Sequence, residues 1–153
     1  MLPNPPRVTL SEEEMAFARD IGLKRRAESR RMGLKETLPE NDNGELHDIC
    51  GAMAEYAYCI YRGRPWVAGI NTFKGPDCGE STQVRWTWRL DGSLIVRPGD
   101  NPGHVYVLVT GSPPTFNIVG WIHGKDAMKD EFWRPDPLPA AWFVPQDRLT
   151  PFK

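Results

Sequence analysis

From Thr82 to Leu90 polar and apolar residues alternate, and this run constrains the fold more than any other stretch of the chain. A period of two is the period of a strand with one wet and one buried side. It places Gln83, Arg85, Thr87 and Arg89 on one face and Val84, Trp86, Trp88 and Leu90 on the other. The apolar face needs a core to pack on. The polar face carries an amide and two guanidiniums, and Asp77 precedes the strand by one short turn.

What surrounds this strand bounds the fold class. Ser11-Glu12-Glu13-Glu14 reads as a capping box, in which the serine and the glutamate three residues on satisfy each other's backbone N–H groups. It predicts a helix from Glu12 to Met32, stopped by Gly33, after an extended arm over residues 1–10. Lys24, Arg25, Arg26, Arg30 and Arg31 crowd its last turns, where cations suit the helix dipole. They form either a solvated helix end or a phosphate-contacting surface. Thr37 to Gly44 reads as a loop. A second helix is expected from Glu45 to Tyr61, with Ile49, Ala52, Met53, Tyr56, Ala57 and Ile60 at helical spacing and therefore largely buried.

Beyond Pro65 the pattern turns to strands: Trp66 to Phe73, Thr82 to Leu90, Ser93 to Arg97 through an Asp91-Gly92 hairpin, His104 to Thr110 and Phe116 to Ile122. A short helix is expected over Lys125 to Phe132, and a last strand at Trp142-Phe143-Val144. The expectation is one α/β (α+β) domain over residues 1–153, with a mixed sheet of four to six strands carrying the second helix on one face and the first helix beside it.

Composition excludes some partners. Formal net charge is −1, so no global positive field draws the chain onto nucleic acid, and any such binding needs a local basic patch. No apolar run approaches the roughly 20 residues of a membrane span. Met1 to Pro6 has no signal-peptide core, so no membrane association and no export are expected. Three cysteines (Cys50, Cys59, Cys78) without a CxxC pair argue against a disulfide framework and a zinc site, and suggest a reducing, cytoplasmic setting. Trp86, Trp88 and Trp121 are expected in the core; Trp66, Trp133 and Trp142 are expected to be partly exposed.

Asp48, Gly51 and Glu55 fall along one face of the second helix. A helix-interior glycine costs roughly 1 kcal/mol against alanine, which makes sense if another segment, such as the one carrying Asp77, packs closely on Gly51. Glu55 lies among apolar neighbours, where a carboxylate must be paired or metal-bound. Either it serves a site or it bridges to Arg62 or Arg85. Asp100 either caps its own loop or supports a site nearby. His47, His104 and His123 show no ligand spacing. Motifs for NTP hydrolysis, dinucleotide redox chemistry and serine hydrolysis are absent.

Taken in order, Gly51-Ala52-Met53-Ala54-Glu55, Pro76-Asp77 and Gln83-Val84-Arg85 resemble the PD-(D/E)XK (restriction-endonuclease-like) nuclease superfamily. The likeness runs from about Asp48 to Trp121 or Ile122. It is greatest to small phage-encoded members, through Asp77-Cys78-Gly79, Leu94-Ile95-Val96-Arg97-Pro98-Gly99-Asp100 and Gly120-Trp121-Ile122. The resemblance implies a metal-dependent DNA nuclease, or a nuclease-derived DNA-binding protein, acting in the cytoplasm of a bacterial host. Asp77, Gln83, the Val84 carbonyl and Glu55 would hold Mg²⁺ (or Mn²⁺). Arg85 would stabilise charge on the phosphate, and Asp77, Glu55, Gln83 and Arg85 would be the catalytic set. Two departures weaken hydrolysis. Gln83 stands for an acid and brings no charge; Arg85 stands for lysine and is a poor proton shuttle. Glu80 replaces Gln83 as a ligand under a register change. A catalytically silent fold relative that binds nucleic acid, or that binds a host defence protein, is the alternative.

Overall fold

A computed structural model describes residues 4–31, 44–66 and 81–152. β1 (Arg7–Thr9) precedes two long helices, α1 (Glu12–Arg31) and α2 (Gly44–Arg62). Then come β2 (Thr82–Thr87), β3 (Leu94–Val96), β4 (Val105–Ser112), β5 (Thr115–His123), the short α3 (Gly124–Ala127), β6 (Trp133–Arg134), β7 (Ala141–Val144) and β8 (Thr150–Pro151). The result is an α+β arrangement around a mixed five-stranded sheet, in the order β1-β5-β4-β2 with β8 also on β5. β2 runs parallel to β4, and the other pairs in this sheet are antiparallel.

The capping box is formed as the sequence requires. The Ser11 N–H donates to Glu14 Oε1 at 2.7 Å, and the Glu14 N–H donates to Ser11 Oγ at 3.1 Å. α1 nevertheless has little apolar surface to offer. Its buried positions are Ala18, Ile21 and Gly22, the first and last of them small. A Cβ placed on Gly22 would lie 2.9 Å from the Ile49 Cα and 3.1 Å from the Asp48 carbonyl oxygen, so the helices cross in near backbone contact. α2 in turn lies on the sheet. Ile49, Met53, Ala54 and Ala57 pack with Val84, Val107, Val109, Phe116 and Ile118 in one core cluster. Ile60, expected inside, is 38% exposed; Tyr58 and Cys59 are buried in the same turns.

The far face of the sheet carries a second core, in which Tyr106, Leu108 and Val119 meet Leu94, Val96 and Val144. That cover is a separate three-stranded sheet, β3-β7-β6. β3 is therefore not the hairpin partner of β2; it pairs antiparallel with β7. The alternating run ends at Thr87 for the same reason. Arg89 and Gly92 close a turn (Gly92 N–H to the Arg89 carbonyl, 3.0 Å), and the buried Gln146 amide donates to the carbonyls of Leu90 and Gly92 at 2.8 and 2.9 Å. Trp88 and Leu90 leave the strand and stand 67% and 54% exposed, not in the core.

Other expectations shift more modestly. Part of the N-terminal arm is strand β1, paired with β5. The single helix expected at Lys125–Phe132 divides into α3 and a 3₁₀ turn at Asp130–Phe132. Trp66 is in no strand, and the rest of the strand expected there lies outside the described residues, as do Gly33 and most of the loop after it. Cys50 is a buried free thiol, whereas Cys59 is disulfide-bonded, against the expectation that no disulfide forms. Two half-cystines satisfy the pairing and leave the odd one reduced, a division that an odd count does not exclude. Among the described residues no helix is long and apolar enough to cross a membrane.

Gly22→Ala should lower the free energy of unfolding by about 1–3 kcal/mol, because the atoms it would meet are backbone and cannot rotate aside. Urea denaturation of the two proteins measures this. A variant as stable as the parent would show that the helices do not cross this closely.

Candidate functional site: a cavity around strand β2

The parallel register of β2 on β4 sets the site. Paired residues of neighbouring strands share a face, so Val84 and Trp86 follow Val107 and Val109 toward α2, while Gln83 and Arg85 follow Tyr106 and Leu108 toward the small sheet. The Arg85 guanidinium lies 5.0 Å from the Tyr106 ring centroid, on that second side. β2 is the last strand of the order among the described residues. A cavity of about 760 Å³ therefore draws its walls from both faces: His47, Asp48, Gly51 and Glu55 from α2, and Arg85, Ile95, Arg97, Asp100 and Phe143 from the far side.

Glu55 and Arg85, singled out from distant stretches of sequence, thus line one cavity. They do not bridge to each other. Glu55 accepts from Arg25 Nη1 at 2.6 Å and from Trp66 Nε1 at 3.2 Å. Arg25, not Arg62 or Arg85, is its ion-pair partner, and the Trp66 ring also lies 5.6 Å below that guanidinium. Arg26 likewise pairs with Asp48 at 3.0 Å. The basic end of α1 is thus in part spent on α2: two of its arginines neutralise the two acids that α2 turns toward the cavity. Nothing in the spacing of Arg25 or Arg26 marks them as partners of residues some 20 to 30 positions away; only the close crossing at Gly22 brings them there.

Arg85 pairs with Asp100 at 2.9 Å, and the same Asp100 oxygen accepts the Arg97 N–H at 2.7 Å. Asp100 therefore both caps its loop and anchors Arg85. Gln83 lies in an adjoining smaller cavity with Arg85, Asp100, Asn101, His104 and Tyr106, and its amide nitrogen is 3.3 Å from His104 Nδ1. Asn101 approaches the other ring nitrogen at 3.4 Å. His104 is thus part of the Gln83 surroundings, a neighbour its position in the sequence did not reveal.

Asp77 and Glu80 lie outside the described residues. Of the other proposed ligands, Glu55 comes from the α2 side of the sheet and lines the larger cavity, whereas Gln83 lies on the opposite side and lines the smaller one, with Arg85 and Asp100 common to both. Among the described residues no three His, Cys, Asp or Glu side chains gather to hold a metal. The arrangement instead suits an anion. Asp48, Glu55 and Asp100 each have an arginine partner, and Arg89 sits a loose 3.8 Å from Asp91 with both side chains largely in solvent. Arg97 has no carboxylate within ion-pair distance among the described residues, yet it lines the same cavity.

His47 stands at the mouth with its ring 5.3 Å from that of Trp86. Much of its surface remains accessible, but desolvation is the largest influence on it and lowers its pKa from 6.5; Asp48 opposes this and the Arg97 charge adds to it. Among the described residues nothing lies within 4 Å of where a Gly51 Cβ would stand, and the segment carrying Asp77 lies outside them.

Compared with protein-family models, with curated proteins and with solved structures, the chain matches none.

Two measurements check this geometry. Gly51→Ala should raise the unfolding free energy by about 0.5–1 kcal/mol, the opposite sign to Gly22→Ala, because only the helix propensity changes. A loss of stability in urea would mean that Gly51 is in contact. In an NMR titration His47 should ionise below pH 6.5, and Trp86→Ala should raise its midpoint. Just below pH 6.5 the unfolded chain then binds a proton that folded His47 resists, so this group weakens folding as pH falls. A midpoint at or above 6.5 would contradict the desolvation.

Proposed function

We propose that this chain holds nucleic-acid phosphodiesters in the β2 cavity, as a DNA-binding protein built on a restriction-endonuclease-like plan. The observation that carries the reading is the charge arrangement: three carboxylates of the cavity are each answered by an arginine, and Arg97 is a cation with no such partner among the described residues. A phosphodiester supplies the missing negative charge, and the planar guanidinium fork matches its oxygens. Such a local patch also reconciles nucleic-acid binding with a net charge of −1.

Hydrolysis assisted by Mg²⁺ or Mn²⁺ is the second reading. It is favoured by the Glu55 carboxylate standing in the same cavity as Arg85. Asp77 precedes Thr82 by five residues, a span of at most about 17 Å when extended. In that reading Asp77 and Glu55 hold the ion, which supplies an activated water, and Arg85 steadies charge on the phosphate.

A mobility-shift titration between 50 and 200 mM salt, followed by incubation with Mg²⁺ or Mn²⁺, separates the readings. Binding should weaken steeply with salt. Arg97→Ala should weaken it for every DNA sequence and reduce the log–log salt slope by about 0.7 to 0.9. Cleavage abolished by Asp77→Ala would put hydrolysis first. Neither shift nor cleavage would overturn both and leave a protein-binding scaffold, for instance one directed at a host defence enzyme.

A further inference from the structure

We infer that the cavity takes one unpaired nucleobase on an apolar shelf formed by Phe143 and Ile95, so that the strand it holds is single-stranded at that point. The inference deepens the phosphate-binding reading and rests on it.

The shelf follows from the pairing of the small sheet. Ile95 and Phe143 are direct cross-strand partners in the β3–β7 ladder. Their neighbours Leu94, Val96 and Val144 are fully buried in the second core. Alternation along both strands then turns Ile95 and Phe143 to the other side, where both remain half-buried and line the cavity. They form an apolar ledge in a cavity that also carries Trp86 and several charged side chains, Arg97 among them. The Arg134 guanidinium lies 5.9 Å from the Phe143 ring centroid. Arg97 follows β3 directly, one residue past Val96, so the cation that has no carboxylate partner among the described residues adjoins the ledge.

This combination selects its ligand. A phosphate alone would need the cations and not the ledge. A purely apolar ligand would leave Arg97 without a counter-charge. A nucleotide has a flat π-face for Phe143 and an anionic linkage for Arg97. In a duplex the faces of the bases are covered by their neighbours, and only the edges and the backbone are offered. A base free to leave its stack can lie on Phe143, and every base has such a face, so the contact favours single strands without reading sequence. The volume of about 760 Å³ admits a nucleotide.

Fluorescence anisotropy with a labelled single-stranded DNA oligonucleotide, the duplex of the same length, and an abasic strand of that length tests this. The wild-type chain should bind the single strand more tightly than the abasic strand. Phe143→Leu keeps apolar bulk and removes the π-face. It should weaken single-strand binding about 5- to 150-fold, leave abasic-strand and duplex binding unchanged, and leave the thermal midpoint where it was. If Phe143→Leu lowers the midpoint, Phe143→Tyr decides instead: it must retain single-strand binding, and its failure to do so overturns the shelf. Single-strand binding unaltered by Phe143→Leu, with Arg97→Ala still weakening it, overturns the shelf and leaves the phosphate reading standing. No binding of any of the three nucleic acids overturns both.

Discussion

β2 is hydrogen-bonded to β4 in parallel, with Val84 opposite Val107 and Arg85 opposite Leu108, and the two sides of the molecule are sorted by that register. A shift of one residue would drive Arg85 into the apolar layer under α2 and turn Val84 out beside Asp100. Two cores, one under α2 and one under the small sheet, hold the register from both sides. The cavity is a consequence. It forms where the two covering layers reach past the same strand, and its walls carry whatever those layers present there: acids from α2, arginines and an aromatic ring from the far side.

The acids on α2 are tolerable because α1 comes close. Glu55 has only 12% of its side chain exposed, and a carboxylate so placed needs a partner to offset its lost hydration. Arg25 provides it only because Gly22 lets the helices approach to backbone contact. A larger residue at Gly22 would push α1 outward and draw both Arg25 and Arg26 from their carboxylates. The packing contact and the electrostatics of the cavity are therefore one device. Pairs that lie wholly in solvent, such as Lys24 with Asp20, contribute little by comparison.

Local signals survived folding, and signals that need a partner did not. The capping box, both helices and the alternation of Thr82 to Thr87 were legible because each is decided within a few residues. The Asp91-Gly92 pair did mark a turn, but a turn does not say which strand the chain meets next, and β3 found β7 almost 50 residues on. Trp88 and Leu90 continued the alternation on paper; Gln146, far along the chain, holds the carbonyls that bend them away. Glu55 was recognisable as a carboxylate needing a partner, while the identity of Arg25 depended on a helix crossing that no spacing encodes. The disulfide of Cys59 was not legible in the count or spacing of the cysteines.

The same distinction explains why a motif alone gives an incomplete picture of this site. An ordered set of Gly, Glu, Asp and Gln-x-Arg along a chain fixes succession, whereas a binding site depends on faces. Within the Gln-x-Arg triplet the two side chains share a face, and both line the smaller cavity with Asp100 and Tyr106. Glu55 comes from the opposite layer and reaches the cavity only past the strand. Gln83 is an uncharged amide on the side where Arg85 stands, so the cations there face less opposing charge than an acid at this position would give them. Arg85 presents a planar fork that Asp100 orients. Both residues suit an anion better than a cation, which is the direction in which Arg97 also points.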